Sequence, residues 1–188
     1  AGPSAYAAAF RADLAAAMAR FPLARLFVPW HHRRTYEHHL PQHLLDRLIP
    51  VPIRRVIWPT HTATEPVCDL SDRFEVLATG NVLTHLSLPI AASLSKRIAF
   101  VGCDGRPMQE NSYFWSHHAG SQMHDLMGSA RASHPAFFTV DYDAYYEEHC
   151  RTLGAMLDHL EDGGFEITSL TPSHIPALEG RIAEGRAA

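Results

Sequence analysis

Apolar residues near the start of the chain recur every three to four positions, the spacing of one face of an α-helix. They are Tyr6, Phe10, Leu14, Met18 and Phe21. Ser4 precedes this pattern as a helix-capping residue, and Pro22 follows as a residue that ends helices. The spacing predicts an amphipathic helix between Ser4 and Pro22.

Two short apolar runs, Leu26 to Val28 and Val56 to Trp58, come next. The stretch between them contains Pro41, Pro50 and Pro52, and proline prevents long regular structure. We expect two buried strands joined by an irregular connection.

In the second half, predicted strands alternate with predicted helices. The strand patterns cover residues 74–78, 98–101 and 165–170, and the helical patterns cover 83–94, 145–160 and 175–182. Pro89 should kink or restart the second helix, and Ser173 should cap the last one. The uninterrupted run 98–101 is typical of a strand buried on both faces. This order predicts an α/β fold with a parallel sheet and helices on both faces.

Composition narrows the kinds of protein to which this chain can belong. The 188 residues, 46% of them hydrophobic, predict one globular domain over 1–188, and a net charge of −4 argues against nucleic acid as a partner. No apolar run is long enough to cross a bilayer. The three cysteines form neither a disulfide framework nor a metal motif, which favours a reducing, cytoplasmic compartment. Because the chain begins without Met, we expect a processed product or a piece of a longer chain.

Ligands of open parallel sheets bind beyond the carboxyl ends of the strands. Thr79, Gly80 and Asn81 lie between a predicted strand and a helix, where backbone N–H groups and the helix dipole favour a phosphate. The alternative interpretation of this segment is an ordinary helix cap at a tight turn.

A second candidate segment, from Gly102 to Arg106, follows the strand 98–101. Asp104 could accept a hydrogen bond from a ribose or sugar hydroxyl, and Arg106 could pair with a phosphate. A solvent-exposed turn is the alternative. If both segments serve one ligand, they should meet at one edge of the sheet.

The 14 histidines include a cluster at 31, 32, 38, 39 and 43. Pro41 interrupts the helical spacing that a metal site would need, so we expect no metal there.

His117 and His118 follow an aromatic run that would line a sugar or nucleoside pocket or pack in the core. His149 and Cys150 are neighbours on a helix, where their side chains diverge too far for a nucleophile–base pair.

Three segments and His149, taken in order, resemble the bacterial CMP-sialic acid-dependent sialyltransferase family. The segments are EVLATGNV at 75–82, KRIAFVGCD at 96–104 and FEITSLTPS at 165–173, and the resemblance covers roughly residues 74–180. The wider group includes motility accessory glycosyltransferase-like and hydroxymethylpterin diphosphokinase-like proteins. The resemblance implies a Rossmann-like sheet, a CMP-sugar donor, a carbohydrate acceptor and a reaction without metal or cofactor.

The resemblance also implies roles for individual residues. The family's donor-contacting loop falls on Thr79–Asn81, and its strand end beside the nucleoside falls on Gly102–Asp104. Tyr113 matches a tyrosine that stabilises the leaving phosphate, and His149 matches the base. The closing turn of the family matches Thr171–Ser173, which adds Ser173 to the donor-binding residues.

Two departures from the family keep alternatives open. No glycine-rich loop precedes Leu26, so the chain is the downstream part of a larger glycosyltransferase, or another element replaces that loop. The long spacing between Asp104 and His149 allows His117 or His118 to be the base. A pterin-type pyrophosphokinase with Mg²⁺ on Asp104 and Asp141, and a non-catalytic interaction domain whose pocket is filled by Trp115, are the alternative functions.

Overall fold

The computed structural model of the chain describes residues 4–54, 67–107 and 141–183, together with residues 126, 128, 129 and 132. The chain divides into two units. The first comprises Ala1–Val51 with Trp115–Val140, and the second comprises Pro52–Phe114 with Asp141–Ala188. The candidate residues outside the described ranges are Tyr113, Trp115, His117 and His118.

The first unit begins with helix α1 and continues through short elements. They are α1 (Ala5–Arg20), β1 (Leu26–Pro29), a 3₁₀ turn (Trp30–His32), α2 (Arg33–His39), α3 (Gln42–Leu45) and β2 (Leu48–Val51). Ser4 caps α1, its hydroxyl accepting a hydrogen bond from the Ala7 N–H at 3.2 Å. Met18, Leu40 and Leu44 form the centre of the unit's apolar core.

Strand β2 pairs in parallel with β1, and Pro50 lies opposite Val28. A proline is accommodated in a strand when its missing N–H would face away from the ladder. Sequence reasoning therefore missed β2 because Pro50 and Pro52 argued against regular structure in this stretch.

The second unit contains the candidate site. Its elements are β3 (Ile53–Arg54), β4 (Val76–Leu77), a π-helical turn (Leu83–Ser87), α4 (Leu88–Leu94), β5 (Arg97–Phe100), α5 (Tyr142–Asp162), β6 (Glu166–Ser169) and α6 (Pro176–Glu179). Strand β3 pairs in parallel with β4, and β5 pairs in parallel with β6.

Helix α5 supplies most of the apolar core of this unit. Its buried side chains are Tyr146, Leu153, Met156, Leu157 and Leu160, which pack with Leu88, Phe100 and Leu178. The side chains of Leu153, Leu157 and Leu178 have no exposed surface. Burying an aliphatic side chain of this size contributes about 1.5–3 kcal/mol. The packing therefore fixes α5 against the strand pair β5–β6 and the short helix α6.

Arg181 ties the end of the described chain to α5. Its guanidinium donates to Asp158 Oδ1 at 2.7 Å and to Glu161 Oε2 at 2.6 Å, and these contacts raise its pKa. Ile182 then forms a parallel bridge with Ser169 at the end of β6.

The structure confirms the mixed α/β class and the parallel strand pairing, and it corrects several elements. Strand β4 is shorter than the predicted 74–78. Ala99 in β5 is exposed, so that strand is not buried on both faces. The last helix ends at Glu179 because Ile182 pairs with Ser169 instead. The predicted strand 56–58 lies outside the described residues.

Candidate functional site

The segment Thr79–Asn81 follows β4 and leads into the π-helical turn. Asn81 caps this turn, because its Oδ1 accepts a hydrogen bond from the Leu83 N–H at 2.8 Å. The Thr84 hydroxyl donates to Thr79 Oγ1 at 2.9 Å. The N–H groups of Gly80 and Asn81 donate to no acceptor within the described ranges. The turn is thus both a helix cap and a place where backbone donors remain available.

Gly80 lies directly against Tyr145 of α5. The Tyr145 hydroxyl donates a hydrogen bond to Gly80 O, and a Cβ at this position would overlap the tyrosine ring. The Tyr145 ring thus occupies the space that a side chain at position 80 would need.

The second segment, Gly102–Arg106, is held by the residues that follow β6. The Gly102 N–H donates to Thr171 Oγ1 at 3.0 Å, and Gly102 has a φ of 68°, which favours glycine. The buried Ser173 hydroxyl donates to Cys103 O at 2.6 Å and accepts from the Ile175 N–H at 3.0 Å. Ser173 therefore fixes the Asp104 loop through internal hydrogen bonds.

Tyr146 connects this second segment to α5. Its hydroxyl accepts from the Arg106 N–H at 3.1 Å and donates to His174 O at 3.3 Å. The Arg106 guanidinium lies over the Tyr146 ring and pairs with Asp143 Oδ1 at 2.8 Å. Arg106 is thus already paired with a carboxylate of the same helix.

Both segments therefore contact the beginning of α5. Tyr145 contacts the first segment and Tyr146 the second, and Asp141 caps the helix through the N–H groups of Asp143 and Ala144, both at 3.1 Å. Strands β4 and β5, which precede the two segments, belong to separate described strand pairs. What joins the segments is the first two turns of α5.

His149 lies two turns into α5, because the helix begins at Tyr142, three residues before the predicted start at 145. It is 7% exposed, its ring centroid lies 6.5 Å from that of Tyr146, and its Nδ1 has no hydrogen-bond partner among the described residues. Burial lowers the pKa of His149, which favours the neutral ring.

The other candidates contribute less to this geometry. Burial raises the pKa of the Cys150 thiol, which argues against a reactive thiolate. The rings of His31 and His32 contact each other at a tilt, and those of His38 and His39 contact each other edge to face. No group of three or more potential metal ligands occurs in the part of the chain that the structure describes.

Sequence reasoning missed three contributors: Tyr145 and Tyr146, which hold the two segments, and His85. His85 Nδ1 lies 2.7 Å from Leu77 O, and its backbone N–H donates to Asn81 O at 2.9 Å. The available signals were the tyrosine pair behind a helix-capping aspartate and a histidine four residues after Asn81.

No protein-family model, curated protein or solved structure matches this chain. Within the described ranges, no helix has the length and apolar character required to cross a membrane.

We predict that Gly80→Ala destabilises the second unit by about 1–3 kcal/mol, because the new methyl group would overlap the Tyr145 ring. Urea denaturation measures the change. Gly180→Ala is the matched control, since nothing lies near a Cβ at that position. Adding Tyr145→Ala to Gly80→Ala should recover part of the loss, and equal effects of Gly80→Ala and Gly180→Ala would contradict the prediction.

We predict that His149 makes stability depend on pH. The unfolded chain binds a proton at an imidazole below about pH 6.5, whereas the buried ring resists protonation, so the free energy of unfolding falls as pH decreases through 6.5. The stability difference between wild type and His149→Gln should therefore shrink from pH 8 to pH 5. Urea titrations at each pH test this, with His159→Gln, which removes an exposed imidazole from the same helix, as control. A stability difference between wild type and His149→Gln that stays constant from pH 8 to pH 5 would refute the prediction.

Proposed function

We propose that this chain is a glycosyltransferase-like protein that transfers an acidic sugar from a CMP-activated donor to a carbohydrate hydroxyl. The observation that carries the proposal is the contact of both Thr79–Asn81 and Gly102–Arg106 with the start of α5, two turns before a buried histidine whose Nδ1 has no partner among the described residues. The family resemblance of these same segments supports it. The proposal includes a Rossmann-like arrangement in which the two strand pairs of the second unit belong to one parallel sheet.

Donor binding would use both segments. The N–H groups of Gly80 and Asn81 suit a phosphate oxygen, because no protein acceptor in the described ranges occupies them. The Asp104 carboxylate accepts no hydrogen bond from the described residues, so it suits a ribose hydroxyl. The three free thiols fit a reducing compartment such as the cytoplasm.

In the proposed reaction, an imidazole takes the proton of the acceptor hydroxyl as its oxygen attacks the anomeric carbon. The bond between sugar and phosphate breaks, and CMP leaves with the bonding electrons. His149 is our candidate base, with His117 or His118 as the alternative. Tyr113 and the Thr79–Asn81 N–H groups would stabilise the charge on the departing phosphate.

Two internal contacts favour a non-catalytic interaction domain as the second candidate. Arg106 is paired with Asp143, and the Ser173 hydroxyl is used by Cys103 O and the Ile175 N–H. While these contacts persist, Arg106 shares its charge with Asp143 and the Ser173 hydroxyl has no proton to donate to a ligand. For a magnesium-dependent pyrophosphokinase, Asp141 would have to bind a cation, whereas its Oδ1 caps α5.

We predict that CMP raises the melting temperature of the chain more than UDP, GDP or ATP does. A ligand at 100 times its Kd stabilises the native state by about 2.7 kcal/mol. Asp104→Asn should weaken CMP binding about 3- to 10-fold, since a neutral amide oxygen replaces the charged carboxylate as the hydrogen-bond acceptor. Asp162→Asn, at the opposite end of α5, is the control. The proposal fails if CMP produces no shift, or if Mg²⁺ and ATP produce the largest one.

We further predict that His149→Ala lowers the rate of CMP release from CMP-sialic acid, in the presence of mixed saccharide acceptors, by about 10²–10⁴-fold. His117→Ala and His118→Ala are assayed beside it, and the variant with the largest loss in kcat identifies the base. A near-normal kcat in His149→Ala would show that His149 is not the base. Absence of acceptor-dependent CMP release in the wild type would favour the interaction domain.

A further inference from the structure

His85 is fixed beside the Thr79–Asn81 loop. It belongs to the π-helical turn Leu83–Ser87, and its N–H donates to Asn81 O at 2.9 Å. Turns of this kind are rare and occur frequently at functional sites. The hydrogen bond between Thr84 and Thr79 joins the turn to the loop a second time. The position of His85 relative to the loop is therefore set by backbone and side-chain contacts together.

The contact between His85 and Leu77 determines which ring nitrogen carries the proton. His85 Nδ1 lies 2.7 Å from Leu77 O, and a carbonyl oxygen only accepts hydrogen bonds. Nδ1 must therefore be the donor. In the neutral ring, Nε2 then carries no proton and is an acceptor. The side chain is half-buried, and Nε2 meets no donor in the portion of the chain described.

We propose that Nε2 of His85 accepts a hydrogen bond from a hydroxyl group of the nucleotide sugar bound at the Thr79–Asn81 loop. This inference rests on the proposed function and adds a residue that selects the ligand. The loop offers N–H donors, which suit phosphate oxygens, whereas His85 offers an oriented acceptor, which suits a hydroxyl. The two kinds of group together would distinguish a nucleotide sugar from inorganic phosphate.

Two substitutions test the roles of the two nitrogens of the His85 ring one at a time. His85→Asn retains a donor near the Nδ1 position, so the contact with Leu77 O can persist, but it lacks an acceptor at the Nε2 position. His85→Gln has an acceptor near the Nε2 position and lacks the donor near Nδ1. His159→Asn, on the exposed side of α5, controls for the loss of an imidazole.

Isothermal titration with CMP and with CMP-sialic acid, together with thermal unfolding, tests the proposal. We expect His85→Asn to melt close to the wild-type temperature and to bind about 3- to 10-fold more weakly. We expect His85→Gln to melt lower and to bind close to the wild-type affinity. A loss seen with both ligands identifies a ribose hydroxyl, and a loss seen only with CMP-sialic acid identifies a sugar hydroxyl.

Other outcomes overturn the inference in distinguishable ways. If the wild type binds both CMP and CMP-sialic acid and His85→Asn binds both equally well, the role of His85 is wrong and the proposed function stands. A purely structural role would make His85→Gln lose both stability and affinity. Nitrogen-15 NMR showing the His85 proton on Nε2 would also refute the assignment. A wild type that binds neither CMP nor CMP-sialic acid would refute the proposed function, and this inference with it.

Discussion

The burial of one face of α5 is the interaction on which the second unit depends. Leu153 and Leu157 are fully enclosed by side chains from the neighbouring elements of the unit. This packing sets the position and direction of the helix relative to β5, β6 and α6. Because Tyr146 lies on the same face two turns before Leu153, its hydroxyl reaches the backbone of both Arg106 and His174. The geometry of the candidate site therefore follows from the core.

The first turns of α5 hold two loops because consecutive helical residues point about 100° apart. Tyr146 faces the loop after β5, and Tyr145 faces the loop after β4. Each tyrosine bonds to backbone atoms, so these contacts depend on the path of the loop more than on its side chains. Gly80 is the exception, since its lack of a side chain allows the ring to approach.

Sequence patterns located several elements correctly, although burial does not follow the pattern throughout, since Phe10 of α1 is 51% exposed. Helices α1 and α5 and strands β1 and β6 lie where the apolar spacing placed them, with ends shifted by a few residues. Strands β2 and β3 were not predicted, because Pro50 and Pro52 carry local signals against strands that the actual pairing tolerates. The last helix was predicted too long, because Ile182 fits a helical pattern equally well and its bridge to Ser169 is a tertiary contact.

The candidate site was predictable only in part, because most of its contacts are also formed between residues far apart in the sequence. That loops with glycine follow β4 and β5 can be read from the chain, because such loops lie next to apolar strands. The hydrogen bonds of Tyr145, Tyr146 and His85 join residues whose partners are set by folding or by the course of a turn. His149 shows the limit most clearly. Its place on α5 was expected, but its burial depends on side chains packed around it in three dimensions.

The shared attachment of both loops to the start of α5 has a consequence for local motion. If the first two turns of this helix fray, the hydrogen bonds of Tyr145 and Tyr146 break in the same event, and both loops lose their anchor. Such a segment behaves as one cooperative opening unit with a single free energy of opening. The amides of the π-helical turn and of the segment after β5, though distant along the chain, would then exchange with solvent at a common rate governed by the helix end.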